Sequence, residues 1–155
     1  MISDFEVVLR LVLAVLLSGL VGLEREVKGR AAGFRTHILV CTGSALVMLT
    51  GVYLSEVWGG KGGVDPTRLA AQVVSGVGFL GAGTIIQFRD SIRGLTTAAS
   101  VWTAAGIGLA VGAGFYVGAV AATLIVFLVL FALSNFEHQV REKARSKLSG
   151  NPPTG

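Results

Sequence analysis

Charge is scarce in this sequence: nine acidic and thirteen basic residues stand among 155, so 14% are charged against 52% that are hydrophobic. A soluble domain carries charge on about a quarter of its residues, so a chain with a mean hydropathy of +0.72 calls for lipid as its solvent. Cysteine is nearly absent too. Cys41, the one there is, lies inside an apolar run, which excludes an intrachain disulfide and a cysteine-based metal site; it reads as a small buried hydrophobe. Alternation over segments of about ten residues is missing, which argues against a transmembrane barrel. Nor is there a nucleophile paired with a base, a carboxylate pair, or a His or Cys ligand set, so no enzyme is expected. The length suits one domain of ordinary size.

What the sequence has instead is glycine and apolar length. Its 22 glycines are roughly twice the average share of about 7%. Glycine weakens helices in water but lets them approach closely in membranes. Apolar stretches cover residues 7–23, 37–54, 69–88, 95–111 and 115–133, near the length of about 20 residues that a spanning helix needs. The chain is therefore expected to be all-α and polytopic, with about five transmembrane helices in residues 1–136. Residues 137–155 form a charged tail, partly a short interfacial helix, with a disordered end. Asp4 and Glu6 stand where a signal peptide would be cationic, so the first stretch reads as a retained helix. Arg10 is expected to snorkel to the interface.

Five crossings sort the basic residues cleanly. Arg25, Lys28, Arg30, Arg35, Arg89, Arg93, Arg141, Lys143, Arg145 and Lys147 share one side, and Arg10, Lys61 and Arg68 the other. The positive-inside rule then puts the N-terminus outside and the C-terminus in the cytoplasm. Topology and attraction to anionic lipid account for the net charge of +4. Without a recognition motif, nucleic acid is not an expected partner; the lipid bilayer is.

Gly76-Val77-Gly78-Phe79-Leu80-Gly81 is a literal G-x-G-x-x-G, yet it lies inside an apolar span, and Asp90 follows too soon for a dinucleotide fingerprint. Two readings stay open for Gly76, Gly78, Gly81, Ala82 and Gly83: close helix packing, or a helix broken in mid-membrane to expose backbone to an ion. Gln72 and Ser75 would be costly against lipid and are expected to face protein or water. In the first loop, Glu24 and Lys28 suit an i, i+4 pair, while Glu24 and Arg35 could instead gate a path. His37 reads as a hydrogen-bonded interface residue. Asp65-Pro66 is ordinary helix-start chemistry or the place of a cation-collecting carboxylate near Arg68. Arg89 to Gly94 reads as a short polar turn, and the hydroxyls of Thr96, Thr97, Ser100 and Thr103 as bonded back to their own helix.

Three segments in order resemble the MgtC/SapB family of bacterial inner-membrane proteins. They are Gly22-Leu23-Glu24-Arg25-Glu26 with Gly33-Phe34-Arg35-Thr36-His37, then residues 65–83 from Asp65-Pro66-Thr67-Arg68 to Gly81-Ala82-Gly83, and Gly94-Leu95-Thr96-Thr97-Ala98-Ala99-Ser100-Val101-Trp102. The resemblance implies a multi-spanning inner-membrane protein tied to growth at low magnesium and, in pathogens, to survival inside host cells. It implies either magnesium transport or regulation of a membrane partner such as the ATP synthase. Glu24, Arg35, Asp65, Arg68 and Gln72 are the polar positions of its motifs. On this resemblance the chain is expected to be a short form without the soluble C-terminal domain of virulence-type members, and it has Thr97 where many relatives have Asn.

Magnesium takes six oxygens and sheds water reluctantly. Glu24 and Asp65, the two candidate metal carboxylates, fall on opposite sides of the membrane and cannot share an ion within one protomer. A midplane path would rest on Gln72, Ser75, Thr96, Thr97, Ser100 and backbone carbonyls, and would hold a largely hydrated Mg2+ ion as cargo, with no resident cofactor. A seam between copies of a homo-oligomer, lined by the third and fourth helices, is the expected geometry. The alternative expectation is a regulatory chain packed against another membrane protein.

Overall fold

The computed structural model describes residues 2–59, 65–89 and 91–149, apart from the side chains of residues 88 and 133–149. Lys61 of the charge count, Asp90 of the dinucleotide comparison, and residues 150–155 of the expected disordered end lie outside the described residues. Among the described residues five helices follow one another: α1 Asp4–Val27, α2 Phe34–Trp58, α3 Pro66–Ala82, α4 Leu95–Gly112 and α5 Tyr116–Ser149. The fold is that of an all-α polytopic membrane protein.

Local chemistry sets the helix starts. The Ser3 side chain accepts from the Glu6 amide at 3.2 Å, and Asp4 and Glu6 in the first turn with Arg25 in the last complement the α1 dipole. Asp65 caps α3, with Pro66 at its first position. Among the described residues α1, α2 and α4 are each long and apolar enough to cross a membrane, whereas the apolar part of α5, Tyr116–Ala132, is shorter. α3 has 17 residues and carries Arg68 and Gln72, so a crossing by α3 rests on the alternation of helix directions.

That alternation is visible in the contacts. Gly22 of α1 meets Phe34 and His37 of α2, Gly51 of α2 meets Pro66 and Leu69 of α3, and Gly81 of α3 meets Ala98 of α4. Each consecutive pair is therefore antiparallel. One end of the bundle collects the C-termini of α1 and α3 with the N-termini of α2 and α4; the other collects Arg10, Asp65 and the α4–α5 turn.

The core is built from small side chains: Ala14, Cys41, Ala45 and Ala119 with Ile107 and Val111, and a second cluster of Ala32, Val77, Val101 and Ala105. Outward faces carry Leu16, Leu39, Phe79, Val117 and Ile125 exposed, a surface suited to lipid. Small residues matter because lipid tails are as apolar as leucine, so helices associate through close packing.

Three sequence expectations are corrected. The stretch 69–88 is helical only as far as Ala82, after which Ile86–Phe88 (β1) pairs antiparallel with Ser91–Arg93 (β2), Ile86 opposite Arg93. The expected polar turn is thus half of a β-hairpin, whose corner residue Arg89 has a φ of 50°. The β-branched and aromatic residues of 84–88 favour this strand.

Within the single chain, helix packing by glycine lies mostly elsewhere. A Cβ on Gly76 or Gly78 would meet nothing within 4 Å, and of the α3 glycines only Gly81 seats a neighbour, Ala98, at 3.6 Å; Gly83 caps the helix. The tight approach is between α2 and α4, where a Cβ on Gly108 would collide with the Cys41 carbonyl and one on Gly112 would lie 2.6 Å from the Ala45 carbonyl. Ala82 is exposed.

Arg10, finally, does not snorkel. It is buried and donates from Nη1 to the Gly112 carbonyl at 2.6 Å and from Nε to the Tyr116 hydroxyl at 2.9 Å, and it pairs with Glu6. The α4–α5 turn folds over it: Gly114 has a φ of 82°, and a side chain there would press on the guanidinium.

Candidate functional site

The end where α1 meets α2 and α4 holds most of the buried polar chemistry. It is assembled by the first loop. Glu26, in the last turn of α1, accepts from the Phe34 amide at 2.9 Å and so caps α2 across the loop. Any side chain on Gly33 would collide with that carboxylate. Gly29 turns the chain with a φ of 61°, and Gly22 has room for no more than hydrogen, since a Cβ would lie 2.9 Å from Phe34 Cα. These contacts press the start of α2 against the end of α1.

His37 is thereby buried completely. Its Nδ1 lies 2.8 Å from the Gly33 carbonyl, which can only accept, so this nitrogen carries the hydrogen. Its Nε2 lies 3.1 Å from Ser100 Oγ, which is also 2.9 Å from the Thr97 carbonyl. Ser100 has one hydrogen for two acceptors. With a neutral imidazole it donates to the ring; with an imidazolium it accepts from the ring and donates to Thr97.

Beside this pair, Arg25 is 3% exposed and donates from Nη2 to Thr97 Oγ1 at 3.3 Å. Glu24, also buried, lies 2.7 Å from Lys28 Nζ and 3.8 Å from Arg25 Nη1. Lys28 reaches on to the Leu130 carbonyl at 3.3 Å and lies over the Phe131 ring, which ties α1 to α5. A carboxylate buried here is retained by its two cationic neighbours. The arrangement can hold charge and relay a hydrogen between Ser100 and His37. Among the described residues no group of three His, Cys, Asp or Glu comes together to hold a metal.

Of the residues singled out from sequence, Glu24, Thr97 and Ser100 come together in this cluster, and Thr96 is exposed beside it. Arg35 is exposed and makes no gate with Glu24, whose partners are Lys28 and Arg25. Asp65 and Arg68 are exposed at the other end. The α2 positions nearest the two carboxylates, His37 and Gly51, are separated by roughly 20 Å of helix rise, so Glu24 and Asp65 do not meet. Hydrogen bonds from the Thr67 hydroxyl and amide, at 2.7 and 2.9 Å, hold the Asp65 carboxyl below its usual range.

Gln72 and Ser75 are exposed in the single chain, because α3 turns Val73, Val77 and Gly81 inward. With Gly76, Gly78 and the large Phe79 on the same stripe they form an open face. Thr103 bonds back to the Ala99 carbonyl at 2.8 Å, as its hydroxyl suggests. His37 is hydrogen-bonded as its sequence reading has it, whereas the roles of Arg25 and Glu26 escape a reading by sequence position. Their one signal is the pair of glycines, Gly22 and Gly33, that flank the loop.

Against known proteins, the model of the MgtC family matches residues 11–139. A protein of Escherichia coli strain K12 named "Putative magnesium transporter YhiD" is 47% identical over 104 residues, 63% of this chain and 46% of that protein. Protein MgtC of Salmonella typhimurium strain LT2 is 41% identical over 138 residues, 89% of this chain and 57% of that protein. Protein MgtC of Brucella abortus is 44% identical over 116 residues, 75% of this chain and 46% of its own length. The chain thus spans about half the length of the curated relatives it matches. No solved structure matches.

Proposed function

The chain belongs to the MgtC family, and from that premise we propose that it serves magnesium homeostasis in the bacterial inner membrane, as a homo-oligomer that passes a largely hydrated divalent cation along a seam between copies. One observation carries this reading: Gln72, Ser75, Gly76 and Gly78 lie together on an α3 face that the rest of the chain leaves uncovered. Glutamine and serine are unfavourable against lipid, and the glycines admit a second helix at close range. A hydrated Mg2+ ion suits such a surface, since it keeps several of its waters. The reading assigns no catalysis to the chain. In orientation, the bundle end that carries Arg25, Lys28, Arg30, Arg35 and Arg93 faces the cytoplasm, with the N-terminus outside.

A second reading is favoured by the polar end itself. Glu24 is engaged by Lys28 and Arg25, as suits a chain that moves no ion and instead docks its α3 face on a membrane partner such as the ATP synthase. Purified protein in liposomes loaded with a magnesium indicator separates the two. The transport reading expects flux above empty liposomes that falls several-fold in Gln72→Leu while the melting point in detergent holds. Flux equal to that of empty liposomes overturns it and leaves the regulatory reading.

A further inference from the structure

Beside the buried polar cluster, on the side of the hairpin, lies an open cavity of about 610 Å3 lined by Arg25, Arg30 and Arg93 and by the first turn of α4. No carboxylate lines it among the described residues. Three guanidinium groups around one space repel one another, and the fold adds a fourth source of positive potential. α4 begins at Gly94, whose φ of 91° and missing side chain leave the first amides of Leu95, Thr96 and Thr97 without a side-chain cap. The first bond of the helix backbone comes only with the Ala98 amide, at 2.8 Å from the Gly94 carbonyl. The N-terminus of an 18-residue helix carries about half a positive charge.

Gly94 is required in this place. A Cβ would collide with the Thr84 carbonyl, so the start of α4 is held against the chain that enters the hairpin.

Arg25 brings an unmet donor to the wall of the cavity. Its Nη2 is taken by Thr97 and its Nη1 faces Glu24, but its Nε is buried and donates to no acceptor among the described residues. An arginine 3% exposed with an unsatisfied N–H is costly, and this one lines the cavity. Guanidinium forks and helix-start amides together match the oxygens of a phosphoryl group.

We infer that this cavity is a binding site for a phosphate-bearing anion, held by Arg25, Arg30, Arg93 and the amides that open α4. The same chemistry is offered by the headgroup of an anionic phospholipid and by free phosphate or a phosphorylated solute. The inference does not depend on cation transport, and its test reads binding alone.

The full chain in neutral detergent is titrated with inorganic phosphate and followed by thermal shift and 31P NMR. A second sample is reconstituted in nanodiscs of mixed phosphatidylglycerol and phosphatidylcholine, and its retained lipid is identified by native mass spectrometry. Arg30→Gln and Arg93→Gln alter exposed positions and leave buried Arg25 in place. Arg35→Gln removes the same charge at the same end but outside the cavity lining. Saturable phosphate binding that weakens about tenfold in each cavity variant and is unchanged in Arg35→Gln supports the site with a soluble ligand. Selective retention of phosphatidylglycerol, lost in the cavity variants and kept in Arg35→Gln, supports it with a lipid. Binding of neither probe, or equal weakening by Arg35→Gln, overturns it.

Discussion

Arg10 of α1 donates to the carbonyl of Gly112 at the end of α4, a bond of 2.6 Å across 102 positions of sequence. It converts a helix terminus, where carbonyls lack partners, into a junction among α1, α4 and, through Tyr116, α5.

Arg10→Met should therefore destabilise the protein by about 1–3 kcal/mol, since charged hydrogen bonds contribute in that range and less where the membrane-unfolded chain finds other partners. Arg10→Lys should recover part of the loss, because one ammonium cannot reproduce the three directions of the fork. Unfolding in detergent of graded denaturing strength measures both, and equal stability of Arg10→Met and the native chain would refute the junction.

Two glycine substitutions locate the helix packing. Gly108→Ala drives a methyl group into the Cys41 carbonyl and should cost about 1–3 kcal/mol or shift the helices. Gly76→Ala, which meets nothing within 4 Å, should leave the monomer's melting point unchanged. The reverse order would mean that α3 is the packing helix after all.

Glu26 and Gly33 should behave as a coupled pair. Glu26→Ala removes the cap on α2 and should cost about 1 kcal/mol, and Gly33→Ala should cost about as much, because its Cβ displaces the Glu26 carboxylate from the same cap. In the double variant no carboxylate is left to displace, so the combined loss should fall below the sum. Strict additivity would argue against the contact.

The open face of α3 can be tested in the membrane directly. The native Cys41 is buried, so Gly78→Cys introduces the accessible thiol. If copies meet along α3, mild oxidation in native membranes should give a disulfide-linked dimer with Gly78→Cys and none with the parent chain. Failure of Gly78→Cys and its neighbour Ser75→Cys to cross-link would remove α3 from a seam between copies.

Much of the architecture was legible because its signals are local. Asp65 before Pro66 and the Gly112-Ala113-Gly114 turn each act within a few residues, and the Glu24–Lys28 pair follows from helical spacing. The hairpin was missed because a short apolar run such as Ile85-Ile86-Gln87-Phe88 cannot be assigned to strand or helix by hydrophobicity alone. Gly108 and Gly112 form as plain a small-xxx-small pair as any in α3, but composition does not say which face of a helix meets a neighbour. The polar end was least legible of all. Arg25 finds Thr97 across 72 positions and His37 finds Ser100 across 63, so only the folded chain brings the two pairs together.

α5 is twice as long as its apolar part. Its 34 residues extend about 50 Å at the usual helical rise, while the apolar half accounts for about 25 Å. The remainder continues as helix beyond the level where Lys28 meets the Leu130 carbonyl. A tilt of the buried half about that contact would be carried outward mechanically, so that a change of about ten degrees in the bundle swings the far tip by about 4 Å over a helical arm of that length.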